Sequence, residues 1–161
     1  MTMRPFRRAQ CVLTSCGNSS AYGLIFINED LDNDCTVFNI CIYGLPPKTY
    51  HGCHIHVGND LSKGCEALGG HFNPRNKTHG DINEINSHVG DLGNIYANGY
   101  GVVNAILRAK LPRLHGSYNI MDRSIIVHQD PDDLGRGGNR ESLTTGNSGK
   151  RILAGIIQPR P

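Results

Sequence analysis

Asn94-Ile-Tyr-Ala-Asn-Gly-Tyr-Gly-Val-Val-Asn-Ala-Ile-Leu-Arg108 reads as two strands meeting at a turn. Asn94–Ala97 and Val102–Arg108 are short apolar runs with β-branched residues. Asn98-Gly99 between them is a strong hairpin signal, because both residues tolerate positive φ. Similar runs occur at Gln10–Thr14, Gly23–Ile27, Thr36–Tyr43, Cys53–Val57, Ser124–His128 and Ile152–Ile157. Pro46-Pro47 ends the third of them, and no run keeps helical periodicity over three turns. The expectation is an all-β chain, an eight-stranded antiparallel Greek-key β-barrel or sandwich.

Two segments break the strand-and-turn rhythm. Gly58–Leu92 is polar and full of Gly, Asn and His, and Gln129–Lys150 is rich in Gly, Asp, Asn and Ser. Loops this long in a compact domain are usually functional or disordered. The length of 161 residues suits a single domain, 1–161, and 20 glycines with no tryptophan agree with many turns. A net charge of +2 gives no reason to expect nucleic acid and slightly favours an anionic substrate. No stretch approaches the roughly 18–20 apolar residues of a membrane helix. Met1–Gln10 is basic, with no signal-like apolar core after it. The reading is a cytoplasmic protein with no membrane partner. Six cysteines (Cys11, Cys16, Cys35, Cys41, Cys53 and Cys65) all precede residue 66, with no C-x-x-C pair. They read as mostly reduced, structural thiols.

The eight histidines are unevenly spread. In His54-Ile55-His56, strand alternation puts both imidazoles on one face, close enough to share an ion. Alone, such a pair reads as two surface histidines. His71, His79, His88 and Asp91 fall within one long loop, and nitrogen ligands with one carboxylate suit a tetrahedral zinc site. A metal also supplies order that a loop poor in apolar residues lacks. The plainer alternative is a solvated loop that happens to contain histidine. His128 ends the strand Ser124–His128. Seven such ligands exceed the needs of one metal. Two four-coordinate ions would share one of them, and a deprotonated imidazole has a lone pair on each nitrogen. Imidazole suits copper as well as zinc.

Further motifs follow in order: Gly64-Cys65, Gly69-Gly-His-Phe-Asn-Pro74, His79-Gly80, His88-Val-Gly-Asp-Leu-Gly-Asn94, Asp132-Asp-Leu-Gly135, Gly137-Gly-Asn139, Thr145-Gly-Asn147 and Gly149-Lys-Arg151. With His51-Gly-Cys-His-Ile-His-Val57, the chain resembles the copper/zinc superoxide dismutases from Cys11 to Ile157. The resemblance implies copper held by His54, His56, His71 and His128. It implies zinc held by His71, His79, His88 and Asp91, with His71 bridging the two. Asp132 would link the outer nitrogens of His54 and His79. Arg151 would dock the substrate, and Thr145 would form the opposite wall of the channel. The implied reaction is disproportionation of superoxide to dioxygen and hydrogen peroxide by Cu(II)/Cu(I) cycling. Arg151 and His71 are its catalytic residues.

The chain departs from the family in three places. The family usually ties its first long loop to the last strand by a disulfide. Cys65 occupies one position, but Ala154 stands at the other. The expectation is that this disulfide is absent, that stability comes from elsewhere, and that no copper chaperone is required to form it. Val57, Gly58 and Asn59, and the terminus Gln158-Pro-Arg-Pro161, differ from the usual dimer face. A homodimer with an altered interface is expected. Thr144 stands where a lysine often sits, and Arg140 where an acid often sits. Cys53, next to His54, is expected to point to the opposite face as a buried small side chain, and His51 and His115 have no metal role. The alternative to an enzyme is a non-catalytic relative, a decoy or copper-sequestering protein.

Overall fold

Every expected strand is present in the computed structural model, which describes residues 7–161. Met1–Phe6, most of the basic N-terminal stretch, lie outside the described residues. The strands are β1 (Arg8–Ser15), β2 (Tyr22–Asp30), β3 (Cys35–Tyr43), β4 (Thr49–His56), β5 (Asp91–Ala97), β6 (Val103–Ala109), β7 (Ser124–His128) and β8 (Arg151–Pro159). They follow one another across the sheet in the order β5-β4-β7-β8-β1-β2-β3-β6. All the pairings are antiparallel.

That order closes the barrel. β5 and β6 lie at opposite ends of the sheet, yet they are consecutive in sequence, from Ala97 to Val103. So short a link can join the two edges only if the sheet curls round on itself. The hairpin expected at Asn98-Gly99 is therefore corrected to a turn without a ladder beyond it. Asn98 N–H donates to the Val102 carbonyl at 2.9 Å, and Gly101 N–H donates to the Asn98 carbonyl at 2.9 Å. The positive φ falls at Gly101 (+72°), where a Cβ would run into the Leu45 carbonyl. The strands diverge because each is already paired on its other side, β5 with β4 and β6 with β3.

Alternation fills the interior. Cys11 and Leu13 of β1, Ile25 and Ile27 of β2, Phe38, Ile40 and Ile42 of β3, Ile125 and Val127 of β7, and Leu153 and Ile157 of β8 are buried in one cluster. Stiff β-branched side chains pack well on such a pleated face. Cys53 and Ile55 of β4 join this cluster, while His54 and His56 between and beyond them face the other way. Burial pushes the Cys53 thiol up to about 12, so it is an inert core residue.

β4 begins at Thr49, earlier than the expected Cys53. His51 and Gly52 look polar in sequence, but His51 is buried. It donates from Nδ1 to the His128 carbonyl at 2.7 Å, and its Nε2 lies 2.7 Å from Thr49 Oγ1. Its role is structural, as expected. His115 is paired with Glu29 at 2.9 Å, away from the other histidines.

The long loops run between β4 and β5 and between β7 and β8, with short 3₁₀ turns at Leu61–Lys63, Cys65–Leu68 and Glu141–Leu143. The first is not free. Phe72 N–H donates to the Ile55 carbonyl at 2.8 Å, Ile55 N–H to the Gly90 carbonyl at 2.8 Å, and Val57 N–H to the Gly70 carbonyl at 3.0 Å. These bonds lay the loop along β4 and place His71 opposite His56 as a bridge pair.

The cysteine reading needs a correction. Cys16 and Cys65 form a disulfide across 49 residues, with Cα atoms 5.9 Å apart. Cys11, Cys35, Cys41 and Cys53 are free. A loop-closing bridge thus exists, but it starts from β1 rather than β8. The ladder explains how. Ser15 pairs with Leu153, and Cys16 N–H donates to the Ile152 carbonyl at 2.9 Å. Cys16 therefore enters the small buried cluster around Ala154, where Cys65 also packs. Replacing Cys16 by Ser should lower the unfolding free energy by about 2–4 kcal/mol. Denaturant unfolding with and without reductant measures this. A Cys16→Ser protein as stable as the oxidised parent would show that the bridge contributes nothing.

Candidate metal centre

His54 and His56 come from β4, His128 from the end of β7 and Asp91 from the start of β5. His71, His79 and His88 come from the first long loop and Asp132 from the second. The tertiary structure gathers all eight. One set of mutually close donors is His54, His56, His71 and His128, and another is His54, His71, His79 and Asp91. His88 joins the second set, its Nδ1 lying 3.0 Å from His71 Nδ1 and 3.3 Å from Asp91 Oδ1.

In this second group, Asp91 Oδ1 also lies 3.0 Å from His71 Nδ1 and 2.9 Å from His79 Nδ1. A tetrahedral ion with arms of about 2.0–2.2 Å sets its donors roughly 3.3 Å apart. Nitrogens and a carboxylate oxygen converging at nearly this spacing fit zinc. Asp91 is aimed by two backbone donors to Oδ2, Gly80 N–H at 3.1 Å and His88 N–H at 2.8 Å. Burial alone would raise the Asp91 carboxyl, but the rings of His71, His79 and His88 outweigh it and hold it far below the usual range.

The first group fits a different ion. His56 donates from Nδ1 to the Gly69 carbonyl at 2.9 Å, and His128 from Nδ1 to the Gly149 carbonyl at 3.1 Å. Their Nε2 atoms then face each other at 3.4 Å. His54 gives Nε2 to Asp132 Oδ2 at 2.7 Å, and its Nδ1 is buried with no hydrogen-bond partner. An orphaned buried nitrogen is rare in a folded protein, and here its lone pair is open to a metal. All-imidazole donors suit copper. Burial pushes His54, His56 and His71 below their ordinary value and His128 down to about 4. The neutral imidazole that this burial favours is the form that binds a metal.

Asp132 ties the two groups together. Its Oδ1 lies 2.7 Å from His79 Nε2 and its Oδ2 2.7 Å from His54 Nε2, all three side chains being dry. Burial pushes His79 down, but Asp132 and Asp91 outweigh it and hold it up at about 9. The backbone of Asp132 is clamped by Asn94. Asn94 Nδ2 donates to the Asp132 carbonyl at 2.9 Å, and Asp132 N–H donates to Asn94 Oδ1 at 2.7 Å. Asn94 and Gly146 carry no signal of their own chemistry in sequence. A Cβ on Gly146 would collide with Asp132 and His79.

A cavity of about 560 Å³ opens over the first group and is lined by His56, His71, His128, Thr145, Arg151 and Glu66 among others. Arg151 is held by two loop carbonyls. Nη1 donates to Cys65 at 2.9 Å and Nη2 to Gly69 at 2.6 Å. Thr145 is exposed and donates from Oγ1 to the Glu141 carbonyl at 3.1 Å.

Comparison with known proteins agrees with this geometry. Residues 21–157 match the family described as copper/zinc superoxide dismutase. The chain is 41% identical to a Cu-Zn superoxide dismutase of Candida glabrata, over 88% of this chain and 92% of the relative. It is 41% identical to Cu-Zn superoxide dismutase 3 of Arabidopsis thaliana, over 95% and 92%. The crystal structure of the clock protein EA4 superposes with a TM-score of 0.92 at 33% identity, over 99% of both chains.

Asp132→Asn removes a charge that orients two rings at once. Metal affinity should fall about 10- to 100-fold, the usual effect of losing such a partner. Competition with a chromophoric chelator reads it. Unchanged affinity would mean that Asn94 and the loop backbone suffice.

Proposed function

The chain belongs to the copper/zinc superoxide dismutase family of enzymes, with copper and zinc as its cofactors, and we propose that it disproportionates superoxide to dioxygen and hydrogen peroxide. The observation that carries this reading is the pair of donor sets, both containing His54 and His71, beneath a cavity that Arg151 lines. His54, His56, His71 and His128 hold copper, and His71, His79, His88 and Asp91 hold zinc. Bound there, copper supplies one-electron oxidation and reduction, while zinc has no redox chemistry and contributes charge and order.

The chain's own residues do the rest. Arg151 is charged at every working pH, and its guanidinium docks a small anion over the cavity floor. Two loop carbonyls hold it in place, so little ordering is left to the moment of binding. His71 has Nδ1 turned to Asp91, which leaves Nε2 for the other donor set and for a proton. With copper supplying the electron acceptor, one superoxide would leave as dioxygen, and His71 Nε2, released from the copper set, would take up a proton. A second superoxide accepts that electron, the His71 proton and one solvent proton, and leaves as hydrogen peroxide. Asp132 keeps the rings of His54 and His79 fixed throughout, and Thr145 bounds the channel.

The chain is proposed to act as a single domain in the cytoplasm. No helix among the described residues is long and apolar enough to cross a membrane. A homodimer with an altered interface is supported by the exposed Val12 and Val57. Arg160 is turned back over the Phe26 ring at 4.4 Å, so the terminus covers its own barrel. A chaperone that makes the family's loop-to-β8 bridge finds Ala154, not cysteine, on β8. The first long loop is bridged instead to Cys16, just after β1.

Purified protein should contain one copper and one zinc per chain and dismutate superoxide. Arg151→Ala should cut the rate about 10-fold or more, the worth of a charged hydrogen bond. Stoichiometric zinc with no activity after copper is added back would move the chain to the non-catalytic relatives.

A further inference from the structure

An anion-consuming cavity with acids on its wall is a puzzle. Among its lining residues are one cation, Arg151, and two carboxylates, Glu66 and Glu141. Glu66 Oε2 lies 3.6 Å from Arg151 Nε. This is a charge contact rather than a hydrogen bond. The Glu66 side chain is 82% exposed, while that of Arg151 is 15% exposed. The cation is fixed and the acid beside it is free to move.

The fold explains this asymmetry. Arg151 spends one proton on the Cys65 carbonyl and one on the Gly69 carbonyl. Glu66 follows Cys65 directly, and Cys65 is tethered to Cys16. The backbone of Glu66 is thus anchored beside the guanidinium, while its carboxylate stays in water. Any anion approaching Arg151 meets the Glu66 charge at close range.

We infer that Glu66 is a specificity-determining residue that filters the anions reaching Arg151, admitting small monoanions and disfavouring doubly charged oxyanions such as inorganic phosphate. Repulsion scales with the charge of the visitor. A dianion meets twice the penalty of superoxide, and a bulkier one must also push the carboxylate aside. Because Glu66 is solvated, the effect per unit charge is modest, about 1.5- to 5-fold. Squared for a dianion, it becomes about 2- to 25-fold. The Cys65–Gly69 carbonyls keep Arg151 in place whichever side chain stands at 66. The inference deepens the proposed dismutase reading and rests on it for the identity of the monoanion.

The test is Glu66→Gln, with Glu66→Lys beside it, in the metal-loaded enzyme at pH 8. Phosphate affinity is read by ³¹P line broadening, superoxide kcat/KM by pulse radiolysis, and metal content checks each variant. Glu66→Gln should bind phosphate about 2- to 25-fold tighter and react with superoxide about 1.5- to 5-fold faster at low salt. Glu66→Lys should go further in both, and salt near 1 M should close the gaps. Phosphate affinity equal in all three proteins overturns the filter, as does a phosphate gain no larger than the superoxide gain. A parent enzyme that binds phosphate in this graded way but does not dismutate superoxide upholds the filter and overturns the dismutase reading instead.

Discussion

One carboxylate, that of Asp132, holds the centre together. It lies at 2.7 Å from both His54 and His79, with no exposure of any of the three side chains. In water such contacts are worth little. In a dry interior, a carboxylate between two imidazoles fixes both rings and both tautomers. His54 then has one nitrogen left, and it is the orphan that faces its fellow histidines. The same carboxylate joins β4, the first long loop and the second through side chains, alongside backbone bonds such as His79 N–H to the Leu143 carbonyl at 2.8 Å. Everything around it respects that position, from the Asn94 clamp to the absence of a side chain at Gly146.

The second dependence is that of Arg151 on the loop across from it. A guanidinium gains direction from the carbonyls it serves. Here those carbonyls belong to residues 65 and 69, a stretch pinned at one end by the Cys16–Cys65 bridge. Strand β1 thereby takes part in the site without lending it a side chain. Cys16 can reach the same loop because it follows the end of β1, where Ser15 pairs with Leu153 of β8 and Cys16 N–H donates to the Ile152 carbonyl. The same anchoring sets Glu66 beside the cation, so scaffold and selectivity share one short segment.

Much of this was legible in the residues alone. Short apolar runs with β-branched residues marked all eight strands, because a strand packed on the core must carry such side chains. The donors that the fold gathers were conspicuous because metal chemistry calls for such residue types, and histidines in a Gly- and Asn-rich loop have little other reason to cluster. The hairpin at Asn98-Gly99 was misread because a turn motif reports only local backbone preference. Whether the flanking strands pair is settled by what else they are paired to, and β5 and β6 each have another neighbour. The start of β4 was missed because His51 is buried by a distant partner, the carbonyl of His128.

The sequence by itself determined the strand pattern, the two excursions and the donors they carry, since these follow from periodicity and from the chemistry of single residue types. Only the tertiary structure decided which cysteine meets Cys65, which carbonyls hold Arg151, where Asn94 clamps and which acid stands beside the guanidinium. Those are contacts between residues many positions apart, about 50 to nearly 90 for the bridge and the guanidinium. They arise when the sheet curls and brings β1, β8 and the loops together. No local preference encodes such a meeting, because each partner's own backbone would be equally content without it.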